Sequence, residues 1–298
     1  MTDGPDTVAS APGTADYDYD GATVIVTGSS SGIGRSVARA FADAGATVVC
    51  ADVDPAPKDP ERQTPTHEAI ADDGGRAEFV ETDVGDADQV AAVVDAARAF
   101  GGVDVMVNNA GILIAKRLFD AEPDDLDALY RVNVRGTYVG TRVAARDMLE
   151  RDDPGVVLNT ASLSAEDAQV TQTMYDATKG AVKMITRGTA LELAATGVRV
   201  NAVAPGAVDT SIFTDREGES VVEEPAEDRA EGQVLGGGEG GPGGDLALPV
   251  VDRPTKTIPM RRSAHPDEMA GAYLFLASDA ASYVTGELLY NDGGYTVV

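Results

Sequence analysis

Cysteine and histidine are scarce in this chain of 298 residues. The single cysteine, Cys50, excludes an internal disulfide framework and a zinc site built from cysteines. The two histidines, His67 and His265, are isolated from any cluster of metal ligands, so we expect no metal. Long apolar runs are also missing, since no stretch approaches the roughly 18 consecutive apolar residues of a membrane span. We therefore expect neither a metalloprotein nor a membrane protein.

Basic residues are few as well. Lysine and arginine together number 23, against 50 aspartates and glutamates, and the formal net charge is −27. Such a charge repels nucleic acid and anionic membranes, so we expect neither as a partner. It also destabilises the compact state unless salt screens it, and at ~1 M salt the screening length is only about 3 Å. The composition resembles that of cytoplasmic proteins from salt-accumulating halophiles, with an ordinary acidic protein as the alternative.

The first 21 residues, MTDGPDTVASAPGTADYDYDG, lack the basic and apolar regions of a secretory signal, which favours a cytoplasmic location. Residues 1–20 are rich in Asp, Gly, Pro and Ser, and we predict a disordered acidic tail there. One domain is expected over residues 21–298.

Apolar runs and helical patterns alternate along this domain. Runs of this kind are typical of strands buried on both faces of a parallel sheet. The intervening segments, such as GRSVARAFADAG and DQVAAVVDAARAFG, have apolar residues at helical spacing. The pattern predicts an α/β fold with a doubly wound, Rossmann-like parallel sheet between two helical layers. The seven predicted strands are ATVIVTG, ATVVCAD, AEFVETDV, VDVMVNNAG, GVVLNTAS, VRVNAVAPG and GELLYNDGG.

Two segments interrupt the alternation. Residues 54–65 contain four prolines, which predicts an extended loop before the next helix. Residues 215–245 are acidic and then glycine-rich, and we predict a mobile surface excursion there. A segment of this kind is either a functional lid or disordered, and the sequence favours neither.

A glycine-rich turn joins the first strand to the first helix. Its glycines, Gly28, Gly32 and Gly34, follow a Gly-x3-Gly-x-Gly spacing, and the turn also contains Ser31 and Ile33. A pyrophosphate needs backbone N–H groups at a helix N-terminus and space for close approach, and glycines provide both. A strand before the turn and a helix after it predict nucleotide binding.

Carboxylates follow the next two strands. Asp52 ends the second run, where its carboxylate can accept hydrogen bonds from both adenosine ribose hydroxyls and repel a 2′-phosphate. This predicts NAD in preference to NADP, although Arg35 could reach such a phosphate. Asp83, which precedes Val84 after the third run, could accept a hydrogen bond from the adenine amino group. The alternatives are a turn residue for Asp52 and a helix cap for Asp83.

Three motifs together resemble the short-chain dehydrogenase/reductase family: the glycine turn, Asn-Asn-Ala-Gly at 108–111, and Tyr-x-x-x-Lys at 175–179. The family's later motifs have counterparts at Pro205-Gly206, Thr285-Gly286 and Asp292-Gly293-Gly294. The resemblance implies that the cofactor cleft also includes Val84, Asn109, Ala110, Gly111, Pro205, Gly206, Val208 and Thr210.

The resemblance further implies a catalytic group of Asn133, Ser162, Tyr175 and Lys179. Tyr175 and Lys179 share a helix face. A phenol titrates near pH 10, so we expect the Lys179 ammonium to lower the Tyr175 pKa toward neutrality. Tyr175 would act as the general acid/base, Ser162 would bond the substrate oxygen, and Lys179 would also hold the nicotinamide ribose. Asn133 would hold a water that relays protons.

The resulting hypothesis is an NAD-dependent oxidoreductase that interconverts a secondary alcohol and a ketone. A 3-oxoacyl-thioester reductase or a glucose-type sugar dehydrogenase of the same family is the alternative. A non-catalytic nucleotide-binding sensor is a more remote one. The substrate pocket would come from 112–119, 162–172 and 211–257, and its residues identify no single ligand. The family further implies a homotetramer built on two long helices near 123–150 and 174–196.

Overall fold

The computed structural model describes residues 14–58, 64–213 and 257–298. The predicted excursion at 215–245 therefore lies outside the described residues, as do most of the proposed lid at 211–257 and most of the predicted N-terminal tail.

All seven predicted strands are present in one parallel sheet. Their order across the sheet is the third, second, first, fourth, fifth, sixth and seventh strand of the chain. The direction of winding reverses between the first and fourth strands, which opens a crevice at their carboxyl ends. The strands are β1 (Thr23–Thr27), β2 (Thr47–Asp52), β3 (Arg76–Glu81), β4 (Val105–Asn108), β5 (Val156–Thr160), β6 (Arg199–Pro205) and β7 (Leu288–Asn291).

Helices cover both faces of the sheet, as the alternating pattern predicts. They are α1 (Gly32–Asp43), α2 (Thr66–Asp72), α3 (Ala87–Ala97), α4 (Pro123–Leu129), α5 (Thr137–Glu150), α6 (Thr173–Leu193) and α7 (Asp267–Ala277). One buried apolar cluster joins the sheet to α1, α2 and α7. A second cluster joins the opposite face to α3, α5 and α6. The fold is the three-layer, Rossmann-like α/β sandwich that the sequence predicts. None of the helices within the described residues is long and apolar enough to span a membrane.

The helix expected near 123–150 is not a uniform α-helix. A widened π-helical turn, Tyr130–Gly136, separates α4 from α5. Turns of this type are rare and often occur at functional sites. Asn133 lies within this turn, which brings its side chain to the loop after β4.

The packed part of the chain includes residues before the predicted domain boundary at residue 21. The ring of Tyr19 contacts Phe41 edge-on, with ring centroids 5.0 Å apart. The Tyr19 hydroxyl donates a hydrogen bond of 2.6 Å to the Leu274 carbonyl. Tyr19 thereby joins α1 to α7.

Candidate active site

A cleft of about 750 Å³ lies at the carboxyl ends of the strands, where the winding reverses. Nearly all of the predicted site residues line it. They are Gly28, Ser31, Gly32, Ile33, Asp52, Asp83, Val84, Asn109, Ala110, Gly111, Ser162, Tyr175, Lys179, Pro205, Gly206, Val208 and Thr210. Gly34 and Asn133 do not line the cleft and lie behind its walls.

The glycine turn follows β1 and begins α1. Gly28 and Gly32 have φ values of +66° and +52°, in the left-handed region that side chains disfavour. Gly34 packs against the turn, because a methyl group there would overlap the Gly28 carbonyl oxygen. Ser31 precedes the helix without capping it through its side chain, and the first turn of α1 contains no acidic residue. The helix N-terminus therefore offers backbone N–H groups and positive potential to an anion in the cleft.

Asp52 lies next to this turn at the end of β2. Its Oδ2 accepts a hydrogen bond of 3.0 Å from the backbone N–H of Ser30. Its Oδ1 accepts one of 2.8 Å from the backbone N–H of Val53. Each carboxylate oxygen keeps a further lone pair, so Asp52 can still accept from a ligand hydroxyl.

Asp83 lines the cleft but is already paired. Its two oxygens accept hydrogen bonds from the Arg131 guanidinium at 2.7 Å and from the Gly85 backbone N–H at 2.8 Å. The hydrogen bond from Arg131 is the main cause that lowers the pKa of the Asp83 carboxyl. Arg131 lines the cleft too, so Asp83, expected to accept from the adenine amino group, lies there as half of an ion pair.

The basic residue at the end of the cleft that contains Asp52 is Lys58 and not the expected Arg35. Arg35 is buried, and its Nη1 donates to the Thr64 carbonyl and the Thr66 hydroxyl, each at 2.9 Å. It points behind the cleft wall, so the expectation that it could reach a 2′-phosphate is wrong. Lys58, from the proline-rich loop, lines the cleft near Asp52 instead, and its backbone N–H donates to Ser31 Oγ at 2.6 Å.

Asn109 connects the glycine turn to the centre of the sheet. Its amide nitrogen donates to the carbonyls of Thr27 and Gly28 at 3.0 and 3.2 Å. Its amide oxygen accepts a hydrogen bond of 3.3 Å from the hydroxyl of Thr160. Through these bonds, Asn109, directly after β4, positions the glycine turn that follows β1.

Tyr175, Ser162 and Lys179 meet at the other end of the cleft. Tyr175 and Lys179 project from one face of α6, with the Lys179 Nζ 5.5 Å from the centroid of the Tyr175 ring. The Lys179 ammonium donates a hydrogen bond of 2.8 Å to the Thr160 carbonyl. The Ser162 hydroxyl bonds the Tyr175 phenol and also accepts a bond of 3.1 Å from the Ser164 backbone N–H.

The pKa of Tyr175 shifts in the direction opposite to that expected from the sequence. Burial raises the Tyr175 pKa to about 12, and the hydrogen bond with Ser162 offsets part of that rise. Burial also lowers the pKa of Lys179 to about 8, so the ammonium form is itself disfavoured. The protein alone therefore keeps the phenol protonated, because burial disfavours the charged phenolate.

The side chain of Asn133 is held by hydrogen bonds within the protein. Its side-chain oxygen accepts from the Ile112 backbone N–H at 2.9 Å. Its side-chain nitrogen donates to the Ile112 carbonyl and to the Thr178 hydroxyl, at 2.9 and 3.1 Å. Both amide hydrogens are thus used within the protein, and Asn133 joins the loop after β4 to α6.

These residues fit a nicotinamide dinucleotide. The glycine turn and the start of α1 suit a pyrophosphate, and Asp52 suits an adenosine ribose. The Lys179 ammonium, held by one carbonyl, has further protons for a second ribose. Within residues 14–58, 64–213 and 257–298, no group of three or more His, Cys, Asp or Glu side chains could hold a metal ion.

Sequence reasoning overlooked several lining residues, among them Lys58, Arg131, Thr160 and Tyr295. Gln172, at the end of the segment 162–172 that was expected to form part of the substrate pocket, does line the cleft. Of the overlooked residues, Thr160 had a usable signal. Thr160 ends a strand two residues before Ser162. Lys58 and Tyr295 reach the cleft through a loop and the C-terminal turn, which no local pattern predicts.

Two family models match the chain. One, described as short chain dehydrogenase, matches residues 22–220. The other, described as Enoyl-(Acyl carrier protein) reductase, matches residues 247–296. The chain is also 36% identical to 3beta-hydroxysteroid dehydrogenase 1 of Eggerthella lenta, over 94% of this chain and 95% of that protein. It is 35% identical to glucose 1-dehydrogenase 2 of Bacillus subtilis, over 94% and 96% respectively.

Solved structures agree in fold. A 3-ketoacyl-(acyl-carrier-protein) reductase from Brucella melitensis, complexed with NADH, superposes with a TM-score of 0.73 at 32% identity. The alignment covers 94% of this chain and 100% of that one. A protein from Beutenbergia cavernae, with NADP bound at low occupancy, superposes with a TM-score of 0.74 at 32% identity. That alignment covers 95% of this chain and 100% of the other.

Proposed function

The chain belongs to the short-chain dehydrogenase family, and from that membership we propose that it interconverts a secondary alcohol and a ketone with NAD as cofactor. The meeting of Tyr175, Ser162 and Lys179 at one end of a cleft with Asp52 at the other carries this proposal. A protein that only binds a nucleotide has no use for an acid/base group, which disfavours the sensor hypothesis.

In the proposed reaction, the substrate oxygen lies between the hydroxyls of Ser162 and Tyr175. The bound nicotinamide supplies or accepts the hydride. In ketone reduction, Tyr175 donates its proton to the oxygen, and Ser162 stabilises the negative charge that develops there. In alcohol oxidation, the Tyr175 phenolate accepts the proton of the alcohol hydroxyl, and Lys179 stabilises the phenolate before that transfer. Asn133 keeps α6 fixed against the loop after β4, so that these groups stay aligned.

The preference for NAD rests on the position of Asp52. A carboxylate there accepts from ribose hydroxyls and repels a 2′-phosphate. Lys58 lines the same cleft, and we expect its ammonium to offset part of that repulsion and to allow measurable use of NADP. A 3-oxoacyl-thioester reductase and a sugar dehydrogenase remain alternatives within the same chemistry.

We also propose a homotetramer built on α5 and α6. Tyr138 and Leu149 of α5 are 50% and 45% exposed, and they line a groove between these helices together with Leu193. Apolar side chains of this kind are favoured at subunit contacts. Sedimentation equilibrium of the wild type and of Tyr138→Asp would test this, since the charged variant should dissociate.

A screen of secondary alcohols with NAD⁺, followed by the absorbance of the reduced nicotinamide, tests the proposed function. We expect at least one alcohol to be oxidised by the wild type and not by Tyr175→Phe. Reduction of NAD⁺ by both proteins at equal rates, or by neither with any alcohol, would overturn the proposal.

A further inference from the structure

The substrate end of the cleft has a wall of uncharged side chains beside Tyr175. Four of the lining residues are apolar, namely Leu113, Leu163, Ile212 and Ile258. Four are neutral and polar, namely Ser164, Gln169, Gln172 and Tyr295. In the part of the chain that the structure describes, Lys179 is the only charged residue at this end, and its ammonium is held by Thr160.

Gln172 differs from its neutral neighbours. The side chain of Gln169 donates to the Asp167 carbonyl at 3.1 Å and accepts from the Tyr295 hydroxyl at 3.3 Å. The side-chain amide of Gln172 has no hydrogen-bond partner among the described residues. Gln172 immediately precedes α6, three positions before Tyr175, so both residues lie on the same side of the helix. The Gln172 side chain therefore provides a hydrogen-bond donor and an acceptor on the same cleft wall as Tyr175.

The backbone that holds Gln172 is unusual. Thr171 has a φ of +67°, which a β-branched residue rarely adopts. The Thr171 carbonyl accepts a hydrogen bond of 2.9 Å from the Lys116 backbone N–H, and Gln172 N–H donates to Gln169 at 3.2 Å. Such strained positions persist where surrounding contacts enforce them, and they concentrate at functional sites. The loop is thereby fixed with Gln172 on the cleft wall.

Among the residues that the structure describes, Lys179 is the one cation that lines this end of the cleft, and its ammonium is held by the Thr160 carbonyl. Lys116, the cation joined to this loop, already pairs its ammonium with Asp125 at 2.7 Å. Asp176 lies beneath the loop and accepts a hydrogen bond of 2.8 Å from the Gln169 backbone N–H. The net charge of −27 also lowers the local concentration of anions. Against the described part of this wall, a carboxylate would lose its hydration and meet no cation other than Lys179, which already bonds Thr160.

We propose that Gln172 binds a second hydroxyl group of the substrate, and that the substrate is an uncharged diol or polyol rather than a hydroxy acid. This inference rests on the proposed function and names the substrate class for the same site. The Gln172 amide can donate to one hydroxyl and accept from it, whereas the apolar residues enclose the carbon chain.

Matched alcohols test the substrate class. One set is butan-2-ol, butane-1,3-diol and 3-hydroxybutanoate; the other is cyclohexanol, cis-cyclohexane-1,4-diol and cis-4-hydroxycyclohexanecarboxylate. Within each set only the second group changes. We expect kcat/KM with NAD⁺ to be about tenfold higher for the diol than for the simple alcohol, and lowest for the acid. An acid used as well as its diol overturns this inference and leaves the proposed function intact. Failure to oxidise either diol, while simple secondary alcohols of the screen are oxidised, also overturns this inference alone, whereas failure with every secondary alcohol of the screen and with both nicotinamide cofactors contradicts both.

Two variants of opposite charge test the residue. Gln172→Lys should raise kcat/KM for the acid relative to the diol by about tenfold or more, because it adds a cation to the wall. Gln172→Glu should lower the same ratio. Each ratio is an internal comparison within one protein, so a general loss of activity does not affect it. Equal ratios in the wild type and both variants would show that Gln172 does not contact the second substrate group.

Discussion

The carbonyl oxygen of Thr160 accepts a hydrogen bond of 2.8 Å from the ammonium of Lys179. The hydroxyl of the same threonine bonds the Tyr273 hydroxyl at 2.7 Å and the Asn109 amide oxygen at 3.3 Å. Asn109 in turn donates to the carbonyl of Gly28. One residue at the end of β5 therefore connects the lysine, the glycine turn and α7.

Tyr273→Phe removes one hydrogen bond from this connection. The Tyr273 side chain is fully buried, and a neutral buried hydrogen bond contributes about 0.5–1.5 kcal/mol to the free energy of unfolding. We expect a lower thermal midpoint than in Tyr283→Phe, whose parent side chain is fully exposed. Calorimetry of both variants measures the difference. Equal midpoints would mean that the Thr160–Tyr273 bond does not stabilise the fold.

The pH dependence of the two reaction directions should differ. Since burial raises the Tyr175 pKa to about 12, the phenol is protonated through neutral pH and can serve as the acid. Alcohol oxidation needs the phenolate, whose population rises tenfold per pH unit below the pKa of the complex. We expect oxidation to accelerate between about pH 6 and 9 while ketone reduction stays nearly constant over that range. Parallel rate profiles measure this, and an oxidation rate independent of pH would contradict it.

Cofactor preference should depend on Asp52. Removing its charge with Asp52→Asn retains an acceptor for the ribose and relieves repulsion of a 2′-phosphate. We expect the NAD-to-NADP ratio of kcat/KM to fall by ~5- to 150-fold, which corresponds to ~1–3 kcal/mol. Adding Lys58→Ala should restore part of the ratio, because the remaining cation near the phosphate is then lost. If the wild type uses NADP as well as NAD, and the ratio of kcat/KM is the same in Asp52→Asn, then Asp52 does not set the cofactor preference.

The halophile hypothesis predicts a fold that needs salt. With a net charge of −27, self-repulsion should be strong at low ionic strength. The thermal midpoint should rise steeply between roughly 0.1 and 1 M KCl, as the screening length falls from about 10 Å to about 3 Å. Thermal scans across that range test it, and a constant midpoint would exclude this hypothesis without affecting the proposed reaction.

Local patterns in the sequence were sufficient to predict the sheet, the glycine turn and the shared helix face of Tyr175 and Lys179, whereas most of the remaining cleft lining was predicted from the resemblance to a known family. Buried parallel strands appear as unbroken apolar runs, and the glycine turn must have residues that tolerate positive φ. The i, i+4 spacing of Tyr175 and Lys179 likewise places both on one helix face.

What the sequence could not predict depends on distant contacts. The hydrogen bonds of Asn133 arise in a π-helical turn and reach Ile112 and Thr178, which are distant in sequence. The burial of Arg35 against Thr64 and the contact of the Lys58 backbone with Ser31 at the cleft both depend on residues that are distant in sequence. The Tyr175 pKa follows from burial, and no spacing of residues gives the depth of a side chain.

The most direct test of the central claim is the turnover of Tyr175→Phe alongside its binding of NADH. One acid/base group contributes about 10²–10⁴-fold to the rate, so we expect kcat to fall by that factor or more. NADH affinity, measured by fluorescence titration, should stay within a few-fold of the wild type, because the phenyl ring keeps the shape of the cleft. Tyr283→Phe, at an exposed position, serves as the control and should turn over normally. A near-normal kcat for Tyr175→Phe would contradict the proposed mechanism.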